Sequence, residues 1–315
     1  MTDIKTKLEE IVGSDNLFMD EKMAGHTTFR VGGPADFLVT PSVTDIGEVV
    51  KLCKAEKVPY FIFGNGSNLL VSDEGIRGVV IEVGKKAADI TLVDFTEDKT
   101  DDSDSARIIE AEAGALLSSI ASLALKNSLT GFEFAAGIPG SLGGAVAMNA
   151  GAYGGEMKDV LVDATVYDIE NDKTMVLGVD ELDLSYRRSL ISEGNFIVLS
   201  ARIKLTCGNS EDILSTMNEL KEKRVSKQPL EYPSAGSTFK RPEGYFAGKL
   251  IEDAGLRGYT VGGAQVSEKH CGFVINKGNA TAQDIYSLIC DVKRKVKEDS
   301  GVTMEPEVKI IGRFK

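Results

Sequence analysis

The stretch from Phe132 to Gly155, FEFAAGIPGSLGGAVAMNAGAYGG, constrains the fold of this chain more than any other segment. It holds seven glycines around Pro139, and Glu133 is its single charged residue. Glycine loses more backbone freedom on folding than any other residue, so such a run indicates tight turns, positive φ angles or a closely approaching ligand. Two interpretations stay open: a buried crossover that packs small residues together, or a cradle of main-chain N–H groups for a phosphate.

Charge and cysteine content narrow the class of protein. The net charge of −12 over 315 residues argues against a general nucleic-acid binder or a protein held on anionic membranes. A small anionic substrate in a locally basic pocket remains compatible with that charge. The four cysteines are far apart and show no metal-ligand spacing, which predicts reduced thiols and no metal site. The polar N-terminus and the lack of a membrane-spanning apolar run predict a cytoplasmic protein.

Hydrophobic periodicity predicts a mixed α+β chain. Helices are expected over 3–12, 42–57, 115–126, 210–225, 244–254 and after Thr281. Strands are expected at 27–31, 60–63, 79–83, 108–113, 160–168, 196–205, near 261, at 273–275 and over 302–311. The acidic run 94–105 predicts a solvated hairpin loop, and the Pro, Ser and Gly content of 226–240 indicates a domain boundary.

The turn GNGSN at 64–68 resembles the opening of a dinucleotide-binding fingerprint, but Leu69 follows and no helix is predicted after it. A Rossmann fold is therefore unsupported.

Eight motifs, in order along nearly the whole chain, resemble the UDP-N-acetylenolpyruvoylglucosamine reductase family, usually called MurB. They are HTTFRVGGPAD (26–36), GNGSNLLVSDEGIRGVVI (64–81), AGIPGSLGGAVAMNAGAYG (136–154), SYRRS (185–189), SAGSTFKRP (234–242), GYFAGKLIEDAGLRG (244–258), GGAQVSEKHCGFVIN (262–276) and EVKIIG (307–312). The chain is similar to the shorter type of the family, without the tyrosine-bearing insertion.

The resemblance implies an α+β fold with an FAD-binding domain of the vanillyl-alcohol-oxidase (PCMH) type over 1–206, in two subdomains of about 1–70 and 71–206. A smaller α+β substrate-binding domain is implied for 207–315. The implied cofactors are non-covalent FAD and NADPH as hydride donor, and the implied substrate is UDP-GlcNAc-enolpyruvate. A monomer without nucleic-acid or membrane partners is expected.

Site residues also follow from the resemblance, by their match to the family motifs. The implied catalytic residues are Arg187, Ser237 and Glu307, and Tyr186 and Lys240 are implied substrate contacts. The implied cofactor-binding residues are Gly64, Asn65, Gly66, Ser67, Asn68, Leu69, Gly137, Ile138, Pro139, Gly140, Ser141, Gly143, Gly144, Ala145 and Asn149.

In this family the flavin passes hydride to the enolpyruvyl alkene, so negative charge grows next to a carboxylate. Arg187 would hold that charge, Ser237 would donate a proton to the neighbouring carbon, and Glu307 would assist. Spacing alone leaves Arg188 and Glu305 open as alternatives.

The remaining cations that would make the pocket basic are Lys240, Arg241, Lys249 and Arg257. For Tyr186 and Lys240, a strand-edge tyrosine and a surface lysine are the competing interpretations. Two rival functions stay open: an FAD-linked oxidase or dehydrogenase of the same fold, and a non-catalytic sensor of nucleotide sugars.

Overall fold

The structure is a computed structural model that describes residues 2–93 and 106–315. The predicted acidic loop at 94–105 lies outside these residues. Within them, no helix combines the length and the apolar character needed to cross a membrane.

Helices and strands alternate along the described chain. The helices are α1 Thr2–Val12, α2 Ile46–Ala55, α3 Leu117–Lys126, α4 Leu142–Ala147, α5 Ser210–Lys227, α6 Ala247–Asp253 and α7 Ala282–Ser300. The strands are β1 Leu17–Lys22, β2 Pro34–Val39, β3 Tyr60–Phe63, β4 Leu69–Val71, β5 Ile76–Glu82, β6 Ile90–Val93, β7 Ala106–Glu112, β8 Leu129–Thr130, β9 Gly151–Ala152, β10 Gly155–Glu156, β11 Leu161–Asp168, β12 Lys173–Gly178, β13 Phe196–Cys207, β14 Thr260–Val261, β15 Ala264–Val266, β16 Val274–Asn276 and β17 Lys309–Ile311.

The chain divides into two compact units, each built from separated segments. Unit 1 comprises 1–18, 38–65 and 80–223, and unit 2 comprises 19–37, 66–79 and 224–315. The division of the chain into domains at 206 and 207 stays a prediction.

The main sheet of unit 1 has the order β12-β11-β13-β7-β6, and β8 pairs with β13. Strands β11 and β13 run antiparallel, with Asp168 opposite Phe196. Strand β13 alternates buried and more exposed positions over residues 199–206, as the sequence predicted for a half-buried strand. The same prediction is wrong for β11, which has no exposed position and is buried over most of its length. Helix α3 buries Leu117, Ile120, Ala121 and Ala124, of which all but Ala121 lie on the predicted apolar face. Leu116, also predicted on that face, is 41% exposed.

The core of unit 2 forms around helix α7 and a three-stranded antiparallel sheet of order β14-β15-β16. Helix α7 buries Ile285, Leu288, Ile289, Val292 and Val296, as predicted. Its start is also as predicted, because the Thr281 hydroxyl accepts the Asp284 N–H while the Asp284 carboxylate accepts the Thr281 N–H. In the same unit, β17 pairs in parallel with β4, placing Lys309 opposite Leu69.

Two predicted strands are wrong. Residues 27–31 form a closed turn, because the Thr27 hydroxyl donates to the Val31 carbonyl (2.9 Å) and the Arg30 N–H donates to the Thr27 carbonyl (3.1 Å). Arg30 has a φ of 56°, which lies in the left-handed region that no strand uses. In the segment 302–311, only Lys309–Ile311 is a strand, since Pro306 has no N–H to donate to a neighbouring strand.

Candidate active site

The two glycine-containing loops contact each other in unit 1. The Asn65 side-chain amide donates to the Pro139 carbonyl at 2.9 Å. A Cβ atom on Gly64 would lie 2.0 Å from the Ser141 hydroxyl oxygen, so a larger residue there would force that hydroxyl to rotate. The predicted cofactor-binding residues of 64–65 and 139–141 therefore lie next to each other.

The N–H groups of the glycine stretch divide into two sets. Those of Ile138, Gly143 and Ala145 donate to the carbonyls of Ala135, Ala113 and Ser141. For Gly143 packing alone explains the glycine, because its Cβ would lie 2.9 Å from the Ala113 Cβ. Across the described chain, no protein acceptor receives the N–H of Gly140, Ser141 or Gly144. The packing interpretation thus holds for Gly143, while the phosphate interpretation stays a prediction for Gly140, Ser141 and Gly144, whose N–H groups the described chain leaves available.

A cavity of about 510 Å³ opens beside these loops within unit 1. It is lined by Gly64, Ser141, Gly143 and Gly144 and by a larger set of apolar side chains that includes Tyr60, Phe63, Val83, Ile169, Ile191 and Phe196. The Ser141 hydroxyl is buried and has no hydrogen-bond partner. Buried polar atoms are rarely left unpaired, so this oxygen fits a bound polar group. The cavity has the size and the apolar lining of a cofactor pocket.

Arg187 lies on a tight turn between the two strands predicted at 160–168 and 196–205. Ser185 and Arg188 exchange main-chain hydrogen bonds of 3.0 and 3.1 Å, which leaves Tyr186 and Arg187 at the corner. Arg187 has a φ of 55°, a conformation that costs a non-glycine residue about 1 kcal/mol or more. The guanidinium lies 5.1 Å from the centre of the Tyr186 ring. Strain of this kind concentrates at functional positions.

Asn149 connects this turn to the glycine stretch. It is 1% exposed, and its amide donates to Glu156 Oε2 (2.7 Å) and to the Ser185 carbonyl (3.2 Å). Its carbonyl oxygen accepts the Lys158 N–H at 3.0 Å. Through these three bonds Asn149 supports the turn that carries Arg187. Its predicted role in cofactor binding did not include this structural role.

The charged neighbours of the two arginines distinguish Arg187 from Arg188 as the candidate catalytic residue. Arg188 pairs with Asp183 (3.0 Å) and Glu193 (2.8 Å), so its charge is already engaged. Arg187 instead lies near Glu156. Burial alone would raise the pKa of Glu156, but hydrogen bonds from Lys158 and Asn149 and the charge of Arg187 outweigh burial and lower it.

The part of the GNGSN loop (64–68) that belongs to unit 2 begins at Gly66, which has a φ of 59°. A Cβ there would lie 1.9 Å from the His26 carbonyl oxygen, so glycine is required. The Thr28 N–H donates to the Gly66 carbonyl (3.2 Å), while the buried Thr28 hydroxyl has no hydrogen-bond partner. This second unpaired oxygen also fits a bound polar group. The His26 ring lies 3.3 Å from Glu21 Oε1.

The same loop reaches Glu307. The Asn68 amide donates to the Glu307 carbonyl (3.1 Å), and the Lys309 N–H donates to the Asn68 carbonyl (3.0 Å). Leu69 then pairs with Lys309 in the parallel β4–β17 ladder. Asn68 and Leu69 thereby join a predicted cofactor loop to a predicted catalytic residue inside one unit.

The segment that carries Ser237 pairs with the chain before Glu307. Phe239 and Pro306 form an antiparallel bridge, and the Lys240 N–H donates to the Glu305 carbonyl at 2.9 Å. Ser237 is exposed. The Lys240 ammonium lies 3.3 Å from Glu305 Oε2, an exposed ion pair that occupies the rival carboxylate.

The other predicted cations have local partners. Lys249 pairs with Asp253, and Arg257 pairs with Glu252 at 2.7 Å. Arg241 lies 4.1 Å above the ring of Phe246, whose exposed fraction is 63%. No group of three or more potential metal ligands occurs among residues 2–93 and 106–315.

Sequence reasoning missed several residues of this region: Thr28, Thr238 and the apolar lining of the cavity. Thr28 and Thr238 lie inside motifs of the resemblance, but only the folded contacts distinguish them from their neighbours.

Comparison with known sequences defines the class of protein. Residues 34–178 match the family model described as an FAD binding domain. Together with the unpaired hydroxyls and the apolar cavity, this match defines an FAD-binding protein of α+β fold. Residues 228–311 match the C-terminal domain of UDP-N-acetylenolpyruvoylglucosamine reductase.

Relatives and a solved structure then specify the family. The chain is 58% identical over 298 residues to a UDP-N-acetylenolpyruvoylglucosamine reductase of Agathobacter rectalis, covering 95% of both chains. It is 52% identical over 307 residues to one of Caldanaerobacter subterraneus, covering 97% of both. The crystal structure of the MurB reductase of Thermus caldophilus matches with a TM-score of 0.76 at 35% identity, covering 93% of this chain and 98% of that one. The chain belongs to the UDP-N-acetylenolpyruvoylglucosamine reductase (MurB) family of FAD-dependent oxidoreductases.

Proposed function

We propose that this protein reduces UDP-GlcNAc-enolpyruvate to UDP-N-acetylmuramate for peptidoglycan precursor synthesis, with FAD as cofactor and NADPH as hydride donor. One structural observation carries the proposal beyond the family name. In unit 2 the segment of Ser237, the chain at Glu307 and the loop at Asn68 are joined by direct main-chain and amide hydrogen bonds. A proton-donating group and a flavin loop need such a rigid connection if both act on one alkene.

The residues present fit FAD. In unit 1, Ser141 and the N–H groups of Gly140 and Gly144 would hold polar groups of the cofactor, and the apolar cavity would hold a flat ring system. In unit 2, taken by itself, the unpaired Thr28 hydroxyl beside Gly66 also fits a bound polar group. FAD, when bound, supplies the hydride.

Arg187 is the proposed group for the substrate carboxylate. A guanidinium offers two parallel N–H donors that match both carboxylate oxygens, which an ammonium cannot do. The supported turn holds this side chain at a fixed place, so charge that develops beside the carboxylate meets a cation already in position.

Ser237 is the proposed proton donor, and Glu307 is proposed to assist it. A serine hydroxyl is a poor acid in water, so donation depends on a strongly basic carbon and on exclusion of water. Lys240, paired with Glu305, is the proposed contact for an anionic part of the substrate. The choice of Glu307 over Glu305 is supported by that ion pair.

Ser237→Ala tests this assignment in stopped-flow measurements of the two half-reactions. Flavin reduction by NADPH should keep its rate, whereas reoxidation by UDP-GlcNAc-enolpyruvate should slow by about a hundredfold or more. Ser300→Ala, at the end of α7, is the matched control and should leave both rates unchanged. Reoxidation of Ser237→Ala at the wild-type rate would exclude Ser237 as the donor. A wild-type flavin that the substrate does not reoxidise would exclude the proposed substrate.

The proposal includes a cytoplasmic location, as the sequence predicted, and a monomeric state, which the family resemblance implies. Light scattering of the FAD-loaded protein checks the second point, and a mass of about 34 kDa is expected from the 33.8 kDa chain.

A further inference from the structure

Thr238 follows Ser237 directly and is fully buried, with 0% of its surface exposed. All three of its polar groups have partners. Its N–H donates to the Gly272 carbonyl (2.9 Å), and its hydroxyl oxygen accepts the Val274 N–H (2.9 Å). Its carbonyl accepts the Glu307 N–H at 2.8 Å. One residue therefore connects the serine to two other parts of the chain.

The bond to Glu307 has a counterpart on the other side of that residue. While Thr238 accepts the Glu307 N–H, Asn68 donates to the Glu307 carbonyl at 3.1 Å. Both main-chain polar groups of Glu307 are thus held, one by the serine segment and one by the flavin loop. The hydrogen bond between the Glu307 N–H and the Thr238 carbonyl therefore fixes where Glu307 lies relative to Ser237.

Before Ser237 the nearest anchored residues are Ser234, which forms a bridge with Ile275, and the buried Ala235. Gly236 separates them from the serine. Gly236 has a φ of 74°, and a Cβ placed on it would meet nothing within 4 Å. Ser237 itself is exposed. Thr238 is the first buried residue after Ser237, so the serine's position depends on how firmly its neighbour is anchored.

The anchor depends on the threonine hydroxyl. A buried N–H that loses its acceptor must move towards another partner or remain unpaired, and either change displaces the main chain. Displacement of a reacting group by about 1 Å lowers rates by about a hundredfold.

We propose that Thr238 is a positioning residue of this site: its buried hydroxyl, held by the Val274 N–H, sets where Ser237 and Glu307 stand for proton delivery. This inference rests on the proposed function, since it assumes that Ser237 and Glu307 act on the substrate.

Thr238→Val tests the inference, because valine keeps the shape and removes the acceptor. Thr281→Val is the matched control: it is the same substitution in the same unit and also removes an acceptor of one main-chain N–H, that of Asp284 (3.0 Å). Thr238→Ser restores the hydroxyl and should restore activity. Each FAD-loaded variant is mixed first with NADPH and then with UDP-GlcNAc-enolpyruvate in a stopped-flow instrument.

For Thr238→Val we expect flavin reduction within twofold of wild type and reoxidation slowed ten- to a hundredfold. The solvent deuterium isotope effect on reoxidation should rise, since proton transfer then limits the step. Thr238→Ser should lie within threefold of wild type, and Thr281→Val should change neither rate.

Three outcomes would overturn the role of Thr238. They are reoxidation of Thr238→Val at the wild-type rate, an equal loss in both half-reactions, and failure of Thr238→Ser to recover. If Thr238→Val retains no FAD, Thr238→Ala is measured by the same criteria. A wild-type enzyme that UDP-GlcNAc-enolpyruvate does not reoxidise would instead overturn the proposed function, which separates the two failures.

Discussion

Asn149→Asp should make the stability of this protein fall more steeply with pH between about pH 5 and 7 than that of the wild type. The Asn149 amide donates to Glu156 Oε2 at 2.7 Å, so aspartate would place a second carboxylate against that oxygen. The acceptor for the Lys158 N–H would remain, and the donor to the Ser185 carbonyl would be lost. Asparagine and aspartate have nearly the same shape, so the main change is that an attractive contact with the Glu156 carboxylate becomes a repulsive one.

The magnitude follows from the distance. Two charges about 3 Å apart repel by about 5 kcal/mol at an effective dielectric constant of about 20. Uptake of one shared proton limits this cost: binding a proton at pH 7 by a group whose ordinary pKa is 4.5 costs about 3 kcal/mol. Lys158, 3.1 Å from Glu156, reduces the value further. At pH 7 the electrostatic loss should therefore be at most about 3 kcal/mol.

The sign of the pH dependence is fixed by the bound proton. In Asn149→Asp the folded pair holds a proton that the unfolded chain releases, so the pKa of the pair is raised on folding. Stability is then lost as pH rises, by up to about 1.4 kcal/mol per unit between about pH 5 and 7.

Urea unfolding of wild type, Asn149→Asp and Asn149→Ala from pH 5 to 8 measures this effect. Asn149→Ala removes both donated bonds and also the acceptor for the Lys158 N–H, but it adds no charge, so its deficit should stay constant with pH. Reoxidation by substrate should slow at least tenfold in both variants, because the turn of Arg187 loses its support. A deficit of Asn149→Asp that does not change with pH would refute the placement of Glu156 against Asn149.

Two further predictions address the loop and the arginine pair. Gly66→Ala should lower the free energy of unfolding by about 2 kcal/mol or more and weaken FAD retention, because the φ of Gly66 is positive and a Cβ there would meet the His26 carbonyl. The control is Gly25→Ala, which should change thermal unfolding little because a Cβ on Gly25 meets nothing within 4 Å. Equal effects of the two substitutions would contradict this account. Arg187→Lys should slow flavin reoxidation by about a hundredfold, because the planar guanidinium is lost. Arg188→Lys, at an exposed ion pair, should keep the reoxidation rate within about threefold of wild type. Steady-state assays that rank the two variants in the opposite order would reverse the assignment.

Hydrophobic periodicity predicted best the helices and strands in which buried residues recur at a regular spacing along the chain. Helices α3 and α7 and the later part of strand β13 carry apolar residues at the spacing of their own geometry, so local sequence was sufficient. The capping box at Thr281 was also readable, since both of its partners lie within one helical turn.

The predictions that were wrong concern segments whose partners lie far away or in side chains. The β-branched residues of 27–31 favour a strand by propensity, but the Thr27 hydroxyl closes a turn instead. No helix or strand was predicted for 182–191, and only the structure shows its turn, in which Ser185 and Arg188 bond to each other across two residues.

Sequence by itself determined the family, the class of fold, the cofactor and the motifs in which the candidate residues lie, because these depend on residue identity in a fixed order. Tertiary structure alone decided which residue of each motif has which neighbour. The bond from Asn68 to Glu307 joins positions 239 residues apart, and that from Thr238 to Val274 spans 36. Such contacts arise when burial forces distant polar groups to satisfy one another, a condition that no local pattern records.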